Sequence, residues 1–134
     1  MSSLTITLIQ TNLFWENKKA NLDRLQQKIE SIEPKTEIVI LPEMFTTGFS
    51  MQPELFAEKM DGDTVQWMKK MAAEKKIILT GSVMIEESGK YFNRLIWMLP
   101  NGEYGIFDKR HLFAFANEHV HYTAGNKKLI DSVK

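Results

Sequence analysis

Apolar residues change their spacing several times along the chain, and each change marks an element. In "LTITLIQ" the residues Leu4, Ile6 and Leu8 alternate with polar or small neighbours, which predicts a strand with those three on a half-buried face. From Asn17 to Ile32 the apolar residues Leu22, Leu25, Ile29 and Ile32 recur at three and four. That is the stripe of an amphipathic helix whose other side carries Lys, Arg and Gln. Pro34 is expected to stop it. Ile38 to Leu41 is apolar without alternation, the pattern of a central strand covered on both faces. These segments predict a β-α-β unit with parallel neighbouring strands.

"DGDTVQWMKKMAAEKK" predicts a second helix, with Asp61, Asp63 and Thr64 offering capping oxygens and lysines at its end. "IILTGSVMI" predicts a strand in which Gly81 marks a close backbone approach. After the turn "EESGK" come the strand "YFNRLIWML", the hairpin turn "PNGE" and the returning strand "YGIFD". The sheet is therefore expected to be mixed. The last thirty residues match no clean period and carry all three histidines. The closing "KKLIDSVK" resembles the beginning of a strand, so another chain is expected to cover it, or the sequence is a truncated piece.

With 134 residues there is enough chain for one core and not for two. Lys plus Arg and Asp plus Glu are balanced at 17 each, so no global field favours nucleic acid or an anionic membrane. No apolar run is long enough to cross a bilayer, and the N-terminus lacks a basic leader. A cytoplasmic protein is expected. The absence of cysteine excludes disulfides, thiolate metal ligands and a cysteine nucleophile within these residues.

Two positions draw attention as chemistry. Glu43 follows Pro42 at the carboxyl end of the "IVIL" strand, the edge where α/β sheets bind ligands. It reads either as a solvated loop carboxylate or helix cap, or as a general base held by the apolar "MFTTGF" loop. Lys109, after "YGIFD", reads either as a surface lysine or as the cation that steadies a developing oxyanion beside such a base. In "EHVHY", Glu118, His119 and His121 suggest a metal if the segment is a strand, with His111 nearby, and hydrogen-bonded packing residues otherwise. Trp67, Met68 and Met71, and Phe92, Ile96 and Trp97, are expected in the core. The pairs Lys69-Lys70, Lys75-Lys76 and Lys127-Lys128 read as solvated faces. No glycine-rich phosphate loop is present.

"LPEMFTTGF" followed by "FDKRHLF" resembles the nitrilase, or carbon-nitrogen hydrolase, superfamily. The run "YFNRLIWMLPNGEYGIFDKRHLFAFANEHVHYTAGN" is similar, more narrowly, to its omega-amidase branch. The resemblance runs from Leu4 to the end of the chain. It implies an α/β fold of the α-β-β-α sandwich type with a mixed sheet, present as a partial domain, residues 1–134 forming the N-terminal half. It implies amide hydrolysis through Glu, Lys and Cys, commonly with a second Glu, and no metal or organic cofactor. Carried over, Glu43 would be the general base, Lys109 would face the oxyanion, and Glu118 would match the second Glu. The implied substrates are small 2-oxo omega-amides, 2-oxoglutaramate and 2-oxosuccinamate.

The family's nucleophilic cysteine lies beyond the stretch that this sequence matches, so the chain alone is expected to be inactive. Ser82, Thr46 and Thr47 are replacements on residue type only. The rival expectations are a non-catalytic binding or assembly subunit, an inactive fragment, and a metal hydrolase on Glu118, His119 and His121. The family resemblance also implies a homo-oligomer, or association with the missing C-terminal half.

Overall fold

A computed structural model describes residues 2–33 and 35–130. Five strands form one mixed sheet in chain order: β1 (Ile6–Leu8), β2 (Ile38–Ile40), β3 (Ile78–Glu87), β4 (Lys90–Met98) and β5 (Tyr104–Asp108). The first three run parallel and the last two add antiparallel, as the β-α-β start and the two hairpin signals require. Ser88 and Gly89 both take positive φ (54° and 76°), the backbone of a two-residue hairpin turn between β3 and β4. The fold is α/β with a mixed sheet.

Helix α1 (Lys18–Glu30) begins where Asn17 Oδ1 accepts from the Ala20 amide at 3.1 Å. It ends at Ser31 before Pro34, which lies outside the described residues. Its Leu25 and Ile29 are fully buried, with Leu22 and Ile32 packed at the margin. A short helix α2 (Pro53–Phe56) precedes α3 (Asp63–Lys75). The expected caps Asp61, Asp63 and Thr64 do not cap α3. Glu58 does so from outside the helix, accepting from the Thr64 amide at 3.0 Å and from its hydroxyl. A tertiary carboxylate thus fills the role that local spacing assigned to three nearer side chains.

Strand pairing sorts the sheet into two faces. Val39, Leu79, Val83, Ile85, Ile96 and Met98 share one of them and pack against α1 and α3 through Leu25, Ile29, Val65, Met68 and Met71. The other face carries Ile6, Leu8, Ile40, Thr80, Ser82, Leu95 and Phe107. Here one expectation fails. Leu4, Ile6 and Leu8 are 45, 48 and 70% exposed and do not form the covered face of a half-buried strand, because both long helices lie on the opposite face. β2 is covered on both sides at Ile38, 4% exposed, and Val39, fully buried, as a central strand requires, and opens only toward Ile40. Trp67, Phe92 and Trp97 are likewise only partly buried, while Met68, Met71 and Ile96 are core. The "KKLIDSVK" expectation falls partly on residues 131–134, outside the described chain; residues 127–130 form no strand. No helix among the described residues is long and apolar enough to cross a membrane.

Gly81 sits on the helix-covered face, where a Cβ would stand 2.8 Å from Phe45 Cδ1 and 2.9 Å from Leu41 Cβ. The close approach read from the sequence is therefore made by the segment that carries Glu43. Gly81→Ala should destabilise the chain by about 1–3 kcal/mol through overpacking, measured by urea denaturation. An unchanged midpoint would mean that the Leu41–Phe45 segment does not press on β3.

Candidate active site

The chain leaving β2 is fastened to β3 by main-chain geometry before any functional group appears. The Leu41 amide donates to Thr80 O at 2.8 Å, the Met44 amide to Ser82 Oγ at 2.8 Å, and the Phe45 amide to Ser82 O at 3.3 Å. Met44 adopts φ 48°, a left-handed conformation that a non-glycine residue keeps only where its surroundings hold it. Its fully buried side chain packs with Met84 and Tyr122. From α1, Asn21 Nδ2 donates to Thr46 O at 2.7 Å and braces the same loop. Glu43 projects from this fixed support, yet its side chain is 49% exposed instead of enclosed in an apolar pocket.

Lys109 follows β5. Its amide donates to Asn93 O at 2.9 Å, and its carbonyl accepts from Gly125 N at 3.0 Å. Gly125 approaches Asp108 so closely that a Cβ there would overlap the Asp108 carbonyl oxygen. The irregular segment beyond contains a 3-10 turn (Ala114–Ala116) and the one-turn helix α4 (Glu118–His121). Tyr122 anchors it, donating its hydroxyl to Ser50 O at 2.8 Å and so joining α4 to the loop after Glu43.

These supports bring the three residues singled out in the sequence together. Lys109 Nζ lies 2.8 Å from Glu43 Oε1 and 3.0 Å from Glu118 Oε1. Glu118 is fully buried, and a carboxylate there must be compensated by donors. It accepts from Lys109 Nζ and, at 2.6 Å, from the Phe113 amide on Oε1, and from Asn93 Nδ2 at 3.0 Å on Oε2. Asn93 Nδ2 also donates to Glu43 Oε1 at 2.8 Å. The Phe49 ring adds a face 5.2 Å from the ammonium. Burial alone would lower the Lys109 pKa, but hydrogen bonds and attraction from Glu43 and Glu118 outweigh it and hold the ammonium above the ordinary lysine range.

The group opens on the uncovered sheet face, into a depression of about 270 Å³ floored by Ile40, Thr80, Leu95 and Phe107. An apolar floor beside a carboxylate and an ammonium suits a small polar ligand with an apolar body. Ser82 borders the depression, but its hydroxyl accepts from Met44 N. Thr46 and Thr47 are buried in the loop, with the Thr47 hydroxyl donating to Gly48 O, and do not line it.

"EHVH" is helical and not extended, so residues two apart project to nearly opposite sides, and His119 and His121 are both exposed. Among the described residues no group of three or more His, Cys, Asp or Glu is placed to hold a metal ion. The Glu118 carboxylate turns instead to Lys109 and Asn93. Asn93 escaped the sequence reading, although an asparagine inside "YFNRLIWML" is unusual in a strand interior and was a signal available there. Phe49 and Tyr122 left no comparable trace.

The Carbon-nitrogen hydrolase family model matches residues 5–133. The chain is 38% identical over 130 residues to the omega-amidase YafV of Escherichia coli, covering 97% of this chain and 50% of that protein. It is 28% identical to the 2-oxoglutaramate amidase of Bacillus subtilis, covering 92% and 49%. The crystal structure of XC1258 from Xanthomonas campestris, a CN-hydrolase superfamily protein, superposes with a TM-score of 0.95 at 41% identity, over all of this chain and 51% of that one. The chain thus spans about half the length of the relatives it matches. Matched by the family over nearly all of its residues, and folded like the corresponding half of XC1258, this chain belongs to the carbon-nitrogen hydrolases.

Proposed function

We propose that this chain provides the base, lysine and second carboxylate of an omega-amidase-type site acting on small 2-oxo omega-amides such as 2-oxoglutaramate and 2-oxosuccinamate. The nucleophile would be a cysteine thiol from outside these 134 residues, in a C-terminal half that completes the domain. The observation that carries the reading is the Lys109 ammonium held between Glu43 and Glu118 at 2.8 and 3.0 Å.

Each group has a distinct task in amide hydrolysis. Glu43 Oε1 is already occupied by Lys109 and Asn93, whereas Oε2 accepts no hydrogen bond from the described residues. Oε2 is therefore the oxygen that would take the thiol proton as sulfur attacks the amide carbon. The resulting oxyanion would lie against Lys109 Nζ, whose charge is fixed in place beforehand. The proton held by Glu43 then leaves with ammonia, giving a thioester. Glu43 next deprotonates water, which releases the acid and restores the thiol. Glu118 stays fully buried and holds Lys109 from behind without exchanging a proton.

The uncovered sheet face supports the same reading. Leu8 at 70% exposure and Ile6 at 48% lie on the face that bears the site, an apolar surface suited to a second sheet. A second reading is favoured by the absence of any cysteine: a binding subunit that keeps the depression and performs no chemistry.

Purified 134-residue chain, verified intact by mass spectrometry, should release no ammonia from 2-oxoglutaramate. Adding a separately produced cysteine-bearing half should restore release, and Lys109→Ala should then lower kcat by roughly 10²–10³-fold. Turnover by the chain alone would contradict the proposal. Saturable binding of 2-oxoglutarate, with no turnover in any combination, would favour the binding subunit.

A further inference from the structure

Asn93 stands in the middle of β4 and is 2% exposed, a costly place for a carboxamide unless its hydrogen bonds are made. Its two Nδ2 protons go to two different carboxylates, Glu43 Oε1 at 2.8 Å and Glu118 Oε2 at 3.0 Å. Its main-chain oxygen accepts from the Lys109 amide at 2.9 Å. One residue is therefore bonded to both carboxylates of the site and, through the main chain, to the root of Lys109. Its neighbours on β4 do nothing of the kind: Arg94 turns to the other face and pairs with Asp108 and Glu87, and Leu95 floors the depression.

The chemistry fixes which way the carboxamide points. Turned over, Oδ1 would face two carboxylate oxygens that have no proton to give. With Nδ2 toward the carboxylates, Oδ1 is left buried without a donor among the described residues, an imperfection tolerated for the sake of the other two bonds. A residue chosen for packing alone would be apolar here, as Met84, its partner across the strand pair, is. Leucine is close in volume, adds no unpaired acceptor, and would leave Glu43 and Glu118 without a link other than Lys109.

Taking Glu43 as the base, as proposed above, we propose that Asn93 is a positioning residue that clamps the Glu43 and Glu118 carboxylates to either side of Lys109. By occupying Glu43 Oε1 it leaves Oε2 as the free oxygen. By occupying Glu118 Oε2 it leaves Oε1 to the ammonium and the Phe113 amide. Lys109 alone cannot set this geometry, since an ammonium on a flexible stem has no planar fork and accepts many orientations. The carboxamide is planar, its two N–H directions diverge, and the strand fixes its root.

Side-chain NMR on the intact chain tests the clamp without requiring turnover. The two Nδ2 protons of Asn93 should resonate well apart and downfield of a solvated carboxamide. Glu43→Gln, at a half-exposed site, should move mainly one of them, and Glu118→Gln mainly the other, because each substitution turns one charge-assisted bond into a neutral one. Asn93→Ala should abolish the slowly exchanging Lys109 ammonium signal. The cavity-forming Val83→Ala, on the opposite sheet face, should leave that signal in place.

Two outcomes overturn the proposal. One is a pair of Asn93 protons at solvated positions, unmoved by Glu43→Gln. The other is a Lys109 signal unchanged in folded Asn93→Ala protein. Should Asn93→Ala fail to fold, the Glu43→Gln result still decides. Failure of the amidase reading would appear in the ammonia assay and leave these signals intact, so the two claims fail separately.

Discussion

The Glu118 carboxylate has no contact with solvent, and much of the site follows from that constraint. A buried carboxylate left unpaired costs several kcal/mol, so the chain must bring donors to it. Three arrive from different places: the Phe113 amide from the preceding turn, Asn93 from the middle of β4, and Lys109 from the end of β5. Meeting that demand draws the irregular segment 110–125 onto the sheet. Tyr122 then ties the segment to the loop that carries Glu43. The half-exposed Glu43 pairs with the Lys109 ammonium at 2.8 Å and is the group within reach of a ligand.

The same sheet divides its labour between faces. One is packed by α1 and α3 around Val39, Leu79, Val83 and Ile96, and this holds the strand ends at fixed spacing. The other carries the depression and exposed apolar residues such as Leu8. The packed face gives the depression a rigid floor and roots Asn93 on a strand, where a group moves less than on a loop. Gly81 shows the coupling between the faces: Phe45 and Leu41, on either side of Glu43, press on its missing side chain.

Periodicity in the sequence was sufficient for the five strands and for α1, whose stripe Leu25 and Ile29 is buried as the pattern requires. Strand ends marked Glu43 and Lys109 as candidates, whereas Glu118 read only as a candidate metal ligand until the family resemblance matched it to a second carboxylate. Periodicity did not show which face of β1 is covered, because alternation is silent about what lies above it. Leu4, Ile6 and Leu8 therefore read as one face of a half-buried strand, and that face is open. Capping of α3 by Glu58 and the role of Asn93 depend on partners far along the chain, which spacing cannot reveal. The "EHVH" segment misled for a local reason: a four-residue helix is too short to display a helical period.

The central claim is that Lys109 is held as an ammonium between two carboxylates before any ligand arrives. Following the Lys109 Nζ resonance upward in pH in the 134-residue chain tests it most directly. Burial opposes the charge, and Glu43 and Glu118 more than compensate, so the midpoint should lie above the ordinary 10.5. With the folded value raised, the stability contributed by the lysine is complete below the unfolded value and is lost as pH rises through the folded one. Stability to unfolding measured across that range should fall accordingly. A midpoint at or below 10.5 in folded protein would mean that burial outweighs the carboxylates, and the preassembled site described here would not exist.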